Sequence, residues 1–226
     1  PIRPGTETAI PASTPEDLAE TADLVKNLGR RIVTAEVDVR DFPGVKEAVD
    51  SGVEQLGRLD IVVANAGIGN GGDVLHETSQ LDWDEMIDTN LSGVFYVSQA
   101  VGRGMLQRGY GRILSIGSVS SLLGHPENAP YAAAKGGIAI MTKSLATEWA
   151  PHGITVNAIG PAYTETELTK HILADPQVRT DLVRGIPMGR FGLPEDLVGA
   201  AVYLCSDAAR FVTGQTLYID GGRTAD

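Results

Sequence analysis

Hydrophobic and polar positions alternate along the chain between a helical and a strand-like periodicity. Apolar residues recur at helical spacing over residues 15–28 and again after Asp41. Largely apolar runs over residues 59–64 and 154–159 are instead typical of strands that are buried on both faces. This alternation predicts an α/β fold in which helices cover both sides of a doubly wound parallel sheet.

The same patterns predict the remaining elements. The predicted helices cover residues 15–28, a stretch from Asp41 to a stop at Gly57, 81–107, 130–150 and 194–206. The predicted strands cover residues 31–37, 59–64, 112–116, 154–159 and 216–219. Residues 162–192 are polar with short helical pieces, which is typical of a flexible lid over a substrate. No linker or repeat divides the chain, so we expect a single domain over residues 1–226.

Two features of this pattern indicate where a site lies. Asn90 and Gly93 are poor helix-interior residues inside a long predicted helix, and they predict either a local break or a tight helix contact. In parallel sheets, ligands bind beyond the carboxyl ends of the strands. The residues that follow predicted strands are therefore candidates, and they are Asp38, 65–67, 115–118 and 160–166.

Composition excludes several classes of function. The 226 residues contain 18 Lys and Arg against 29 Asp and Glu, and the net charge of −11 argues against nucleic acid and anionic membrane surfaces. No apolar stretch is long enough to span a bilayer. The single cysteine, Cys205, excludes an internal disulfide and favours a reducing, cytoplasmic location. The four histidines lack metal-ligand spacing, so we expect no metal site.

Tyr131 and Lys135 carry the clearest candidate chemistry. They are four residues apart in a segment of high helix propensity and therefore share one helix face. An ammonium beside a phenol lowers the phenol pKa, which allows a tyrosine to act as acid or base near neutral pH. Ser118 follows a predicted strand and has a hydroxyl that can bind a substrate oxygen. A lone Tyr-xxx-Lys pair is common, so on its own it more often marks an ordinary surface tyrosine and a solvated lysine, and a serine after a strand is also an ordinary loop residue.

The order and spacing of the motifs together resemble the single-domain short-chain dehydrogenases/reductases. The matching motifs are Asp38-Val39, Asn65-Ala66-Gly67, Asn90, Ser118, Tyr131 with Lys135, Pro161 with Thr164 and Thr166, and Asp220-Gly221-Gly222. The resemblance extends over residues 15–222 and implies a Rossmann-like fold. It also implies an NAD(P)-dependent oxidoreductase that transfers a hydride between a nicotinamide cofactor and a ketone or secondary alcohol. The cofactor is NAD or NADP, and the acidic balance of the chain slightly favours NAD.

The resemblance implies a role for each matching residue. Tyr131 would be the general acid or base, Lys135 would lower its pKa and bind the nicotinamide ribose, and Ser118 would hold the carbonyl. Asn90 would keep a water in a proton relay to Lys135. The implied cofactor contacts are Asp38 and Val39 to the adenine, Asn65, Ala66 and Gly67 to the adenosine ribose, and Pro161, Thr164 and Thr166 to the carboxamide side of the nicotinamide.

One part of the family pattern is missing from the sequence. The family opens with a strand, a TGxxxGxG-type turn, a helix and a second strand, whereas the glycine-rich residues 69–72 open no helix. We therefore expect a fragment without this first strand–helix–strand unit, in which residues 1–14 form the loop after the second strand. A long loop there resembles the carveol-dehydrogenase-like, mycofactocin-associated branch. Residues 131–161 and the ending resemble the 3-oxoacyl-carrier-protein-reductase-like and gluconate-dehydrogenase-like groups.

The family also implies a homotetramer, in which the two long helices and the C-terminal strand region pair between copies. The apolar content of residues 94–101 and 137–146 permits this. A catalytically silent binding or regulatory relative stays open, because the phosphate loop is absent. A sugar-nucleotide epimerase also uses a Tyr-xxx-Lys pair but needs a larger C-terminal domain. His125 is open to a substrate contact or to an ordinary loop position.

Overall fold

Four parallel strands form the sheet in a computed structural model that describes residues 14–69 and 73–225, apart from the His171 side chain. The strands are β1 (Ile61–Ala64), β2 (Gly111–Ile116), β3 (Ile154–Pro161) and β4 (Thr216–Ile219), in that spatial order. The register pairs Ala64 with Ser115 and Pro161 with Ile219. Because all strands run in the same direction, their carboxyl ends meet at one edge of the sheet.

The described helices follow the predicted periodicities closely. They are α1 (Pro15–Asn27), α2 (Phe42–Leu56), α3 (Gln80–Ile87), α4 (Gly93–Arg108), α5 (Ala129–Trp149), α6 (Glu167–Leu173), α7 (Pro176–Arg184) and α8 (Pro194–Cys205). Thr14 caps α1 by accepting a hydrogen bond from the Asp17 amide at 3.2 Å. Gly57 ends α2 at a φ of +97°, which glycine adopts without strain. None of the helices described is both long enough and apolar enough to cross a membrane.

Helices cover both faces of the sheet, which confirms the doubly wound α/β prediction. On one face, α4 and α5 pack against Val62, Ile113 and Val156 through a cluster that includes Trp149. On the opposite face, Leu204 of α8 packs with Leu114 and Ile159. Because both faces are covered, β2 and β3 are buried along nearly their whole length, including polar residues such as Arg112 and Asn157.

Two predictions about the first strands are wrong. Residues 31–37 form no strand, because no strand among the described residues lies beside them to accept their hydrogen bonds. Strand β1 is shorter than the predicted 59–64, and one of its faces is open. Its side chains Ile61 and Val63 are 44% and 50% exposed, since the helix on that face packs against β2, β3 and β4.

The predicted break in the long helix is a π-helical turn. Helix α3 continues into the π turn Asp88–Ser92, and the Gly93 amide bonds the Asp88 carbonyl five residues back. Asn90 lies in this turn and is fully buried. Single π turns inside α-helices are frequent at functional sites, because they redirect side chains and backbone groups locally.

Residues 162–192 contain the predicted short helices together with an apolar cluster that the sequence did not predict. They contain α6 and α7, and the buried side chains Leu173, Ile186 and Phe191 form a small apolar cluster. Tyr163 packs against this cluster. These apolar residues come from separate pieces at irregular spacing, so the sequence shows no period for them. The segment therefore holds itself together by its own apolar contacts.

Candidate active site

Ser118, Tyr131 and Lys135 come together at the carboxyl edge of the sheet. Ser118 lies two residues after β2, and the other two side chains lie one turn apart on α5. The Lys135 Nζ lies 5.5 Å from the centroid of the Tyr131 ring. The Ser118 hydroxyl is close enough to the Tyr131 phenol to act on its pKa. A hydroxyl, a phenol and an amine are thus gathered at the place where the parallel sheet favours ligand binding.

Lys135 is an enclosed amine without an acidic partner among the described residues. It is 5% exposed, and its Nζ donates a hydrogen bond to the Ile116 carbonyl at 2.8 Å. Burial lowers the pKa of Lys135 to about 8. An ammonium has three N–H donors, and the described residues accept only one of them. The other donors are available to a bound molecule.

The pKa of Tyr131 differs from the sequence-based expectation. Burial raises it, the nearby Ser118 hydroxyl lowers it in part, and Tyr163 raises it further. The Lys135 ammonium lies 5.5 Å from the ring centroid and donates to the Ile116 carbonyl, and the lowering by Lys135 that the sequence predicts stays a prediction. Burial therefore dominates, and the phenol stays protonated at neutral pH.

Asn90 fixes the loop that follows β1. Its Oδ1 accepts a hydrogen bond from the Ile68 amide, and its Nδ2 donates to the Ile68 carbonyl, both at 2.8 Å. A Cβ at Gly67 would lie 2.7 Å from the same Oδ1, so only glycine fits without a shift. Asn65, Ala66 and Gly67 are exposed beside this anchor. The π turn thus holds an open backbone segment at the edge of the sheet.

Asp38 and Val39 lie beside the start of α4. Val39 packs against Gly93, where an added Cβ would lie 2.9 Å from its Cγ2. The Asp38 carboxylate accepts hydrogen bonds from Arg40, including one from Nη2 at 2.6 Å. These hydrogen bonds lower the pKa of Asp38 to about 2. Gly93 is three residues after Asn90, so Val39 packs within one helical turn of Asn90. Val39 reaches this position even though residues 31–37 form no strand.

The segment after β3 contributes the remaining predicted residues. Pro161 is the last residue of β3, and Thr164 is buried with its Oγ1 donating to the Ala162 carbonyl at 3.1 Å. Thr166 is exposed at the start of α6, where its amide donates to Thr169 Oγ1 at 3.1 Å. The loop thus buries the Thr164 side chain and leaves Thr166 exposed to solvent.

Tyr163 and Arg223 also border the site. Tyr163 lies within the candidate range 160–166, whereas the sequence-based prediction did not include Arg223. The ring of Tyr163 lies edge-on to Phe191, with 6.4 Å between the ring centroids. Arg223 lies four residues after β4, which ends at the same sheet edge. The rule that residues after strands form the site would have found Arg223, had it been applied to the last strand.

The wider chain resembles known proteins over nearly its whole length. A family model described as enoyl-(acyl carrier protein) reductase matches residues 3–224. A short-chain type dehydrogenase/reductase of Mycolicibacterium smegmatis is 45% identical over 228 residues, which cover 94% of this chain and 81% of the relative. The chain is thus similar to this relative along most of both sequences.

Two solved structures share the fold closely. Carveol dehydrogenase from Mycobacterium avium, in complex with NAD, is 42% identical with a TM-score of 0.93, over 99% of this chain and 86% of that one. A gluconate 5-dehydrogenase from Burkholderia cenocepacia, in complex with NADP and tartrate, is 40% identical with a TM-score of 0.89, over 94% and 83%. The chain therefore belongs to the short-chain dehydrogenase/reductase family, whose members are NAD(P)-dependent oxidoreductases of alcohol and carbonyl groups.

Proposed function

We propose that this chain transfers a hydride between a nicotinamide cofactor and a ketone or secondary alcohol, with Tyr131 as the general acid or base. The observation that carries the proposal is the grouping of Ser118, Tyr131 and Lys135 at the carboxyl edge of the sheet. A secondary alcohol is also the group common to carveol and gluconate, which name two of the similar structures.

The residues at this edge fit a nicotinamide nucleotide. Lys135 has N–H donors left for the nicotinamide ribose, and the open backbone at Gly67 allows another group to approach closely. In this proposal Asp38 and Val39 contact the adenine, Asn65, Ala66 and Gly67 line the adenosine ribose, and Pro161, Thr164 and Thr166 hold the carboxamide. The cofactor, when bound, supplies or accepts the hydride at its nicotinamide ring.

Tyr131 moves the proton in this mechanism. In reduction its phenol O–H donates to the substrate oxygen, and in oxidation its phenolate accepts the proton of the alcohol. The raised pKa keeps the proton on Tyr131 at neutral pH, which favours donation. The Ser118 hydroxyl donates a hydrogen bond to the same substrate oxygen, where negative charge develops. The Lys135 ammonium stabilises the phenolate that remains, and Asn90 keeps the water that returns its proton.

The experiment uses the chain expressed from its complete natural coding sequence. NADH and NADPH are titrated by fluorescence, and turnover of a panel of ketones and secondary alcohols is followed through the nicotinamide absorbance. We expect a preference for NAD. Tyr131→Phe should lower kcat by about 10²–10⁴-fold, the usual size for a positioned acid or base, while cofactor affinity is unchanged. Tyr96→Phe removes a phenol hydroxyl outside the site and should leave turnover unchanged.

The outcomes separate this proposal from the alternative. An active Tyr131→Phe enzyme, or a chain that binds neither cofactor, would show the proposal to be wrong. Cofactor binding without turnover of any substrate in the panel would favour a catalytically silent relative.

We propose that the chain forms a homotetramer. Ile140 of α5 is 63% exposed and Phe95 of α4 is also exposed, which supports pairing of these long helices between copies. A second apolar surface contains Val202 of α8, the fully exposed Phe211 and Leu217 of β4. Two separate self-complementary surfaces are what a tetramer needs, and light scattering measures the mass directly.

We also propose a cytoplasmic location for the protein. Its support is Cys205, which is the only cysteine in the sequence. Cys205 is a free thiol that packs against the cluster containing Leu114, Ile159 and Leu204. Cell fractionation tests this, and recovery of the protein outside the cytoplasm would contradict it.

A further inference from the structure

Arg223 lies on the same sheet edge as the catalytic residues. The register pairs Pro161 with Ile219, so the chain leaving β4 runs beside the chain leaving β3. The Ala162 amide bonds the Ile219 carbonyl at 3.4 Å, which extends this pairing past the end of β3. The segment that contains Arg223 thus runs alongside the segment that contains Tyr163.

The turn that carries Arg223 is held by Asp220. The Arg223 amide donates to the Asp220 carbonyl at 3.1 Å. The Asp220 carboxylate accepts hydrogen bonds from the Gly222 amide at 3.0 Å and from the Thr224 amide and hydroxyl at 2.8 and 2.6 Å. Because this carboxylate bonds the turn itself, it forms no ion pair with the Arg223 guanidinium.

The guanidinium of Arg223 is half-buried and has no acidic partner among the described residues. It lies against Gly185, where a Cβ would stand 3.1 Å from its Cζ. Within residues 14–69 and 73–225, no carboxylate approaches it to ion-pair distance, whereas Arg179 and Arg190 both pair with carboxylates. A partly buried cation without a partner is costly, which indicates that this one has a binding role.

Two titratable groups, His125 and Tyr163, experience the charge of Arg223. Burial lowers the pKa of His125, and the Arg223 charge lowers it further. Burial raises the pKa of Tyr163, and Arg223 offsets part of this rise. Tyr163 in turn acts on Tyr131. The charge of Arg223 therefore reaches both His125 and Tyr163, and Tyr163 is the residue that links this charge to the proton-transfer group.

We propose, resting on the function proposed above, that Arg223 binds a carboxylate of the substrate, so that the enzyme prefers hydroxy acids or oxo acids to neutral alcohols or ketones. The planar guanidinium presents N–H donors in a fork that matches a carboxylate. A net charge of −11 repels anions from the chain as a whole, so an anionic substrate needs a local cation of this kind.

The test compares substrates that differ only in charge. The probes are short secondary hydroxycarboxylates and the primary amides with the same carbon skeletons. The wild-type enzyme should turn over the acids with the higher kcat/KM. Arg223→Gln should lower kcat/KM for the acids by about 10- to 100-fold, the size expected for hydrogen bonds to a charged group, and leave the amides unchanged. Arg223→Lys should restore part of the loss.

A matched control and a binding measurement complete the test. Arg210→Gln removes an exposed arginine near the amino end of β4 and should change neither substrate class. Calorimetric titration of the hydroxycarboxylates should show weakened binding in Arg223→Gln alone. Equal losses for acids and amides, or unchanged carboxylate binding, would overturn the role of Arg223 while leaving hydride transfer intact. If the wild-type enzyme turned over no substrate, the proposed function would fail, and the titration would still decide the role of Arg223.

Discussion

The carboxamide of Asn90 holds the backbone of Ile68 from both sides, accepting from its amide and donating to its carbonyl at 2.8 Å. This contact joins the π turn of one helix to the loop that leaves β1. Because Asn90 is fully buried, the low local dielectric strengthens these hydrogen bonds. The position of the proposed cofactor-binding backbone therefore depends on a local defect in a helix.

Gly67→Ala should disturb that loop. The new Cβ would lie 2.7 Å from Asn90 Oδ1, so either the loop or the carboxamide must move. We expect at least a tenfold loss of kcat/KM, since displacements of about 1 Å cost up to about 10²-fold. Overpacking should also lower the free energy of unfolding by about 1–3 kcal/mol. Steady-state kinetics and urea unfolding measure the two effects.

Gly52→Ala is the matched control for this substitution. Gly52 lies in α2, and an added Cβ there meets open space. Alanine should raise the free energy of unfolding by up to about 1 kcal/mol through its higher helix propensity, with turnover unchanged. If the two variants behaved alike, the contact between Gly67 and Asn90 would have no special role.

Ser118→Ala should lower kcat by about 10²-fold, as expected for the loss of one donor to a developing negative charge. Its Oγ also accepts a hydrogen bond from the Ser120 amide at 3.1 Å, so a loss of about 1 kcal/mol of stability should accompany the change. Measurements at saturating cofactor isolate the chemical step. Ser51→Ala, a half-buried position in α2 outside the site, should leave kcat unchanged, and an equally active Ser118→Ala enzyme would contradict the proposed role.

Lys135 should make the free energy of unfolding rise with pH. Its pKa is about 8 in the folded chain and 10.5 in the unfolded one. Between these values the unfolded chain binds more protons, so raising the pH favours the folded state. At neutral pH the amine is protonated in both states, and burying its charge costs about 3 kcal/mol, which is relieved toward about pH 10.

Urea unfolding at about pH 7 and about pH 9 measures this effect. Lys135→Met lacks the titrating amine and should show a smaller rise in stability between the two conditions. Lys143→Met removes an exposed lysine from the same helix and should keep the wild-type rise. A wild-type chain and a Lys135→Met chain with the same pH dependence would show that the buried amine is not responsible.

Charge placed on either exposed apolar surface should divide the proposed tetramer. Ile140→Glu on α5 and Val202→Glu on α8 bury a carboxylate in different interfaces, so each alone should give a dimer and both together a monomer. Light scattering reports the masses, and circular dichroism checks that the fold is retained. A wild-type monomer, or a tetramer that tolerates both substitutions, would contradict the assembly.

Local signals in the sequence were sufficient for most elements. The Thr14 cap, the Gly57 stop and the poor helix formers at Asn90 and Gly93 act within one or two turns, and the structure confirms each of them. The strand predicted at residues 31–37 failed for the opposite reason. A strand needs a hydrogen-bonding neighbour, and no local pattern specifies whether one is present.

The candidate site was likewise predictable only in part. A spacing of four residues on α5 was enough to bring Tyr131 beside Lys135, and the strand-end rule placed Ser118 near them. The pKa of Tyr131 was not predictable, because it depends on burial and on the nearby Ser118 hydroxyl and Tyr163. Those contacts exist only after the chain has folded.

The π turn also determines how the helix tolerates insertion and deletion. Met86 and Val94 are both buried although they are eight residues apart, a spacing that a continuous α-helix would rotate by about 80°. The π turn Asp88–Ser92 accommodates one extra residue, which offsets this rotation by about 100°. Met86 and Val94 therefore point to nearly the same side of the helix. Deleting one residue inside this turn should therefore leave a straight helix with its packing in phase, whereas a deletion within α4 would rotate its apolar side toward solvent. The anchor for the loop after β1 is thus a self-contained insertion that can be lost without refolding the helix.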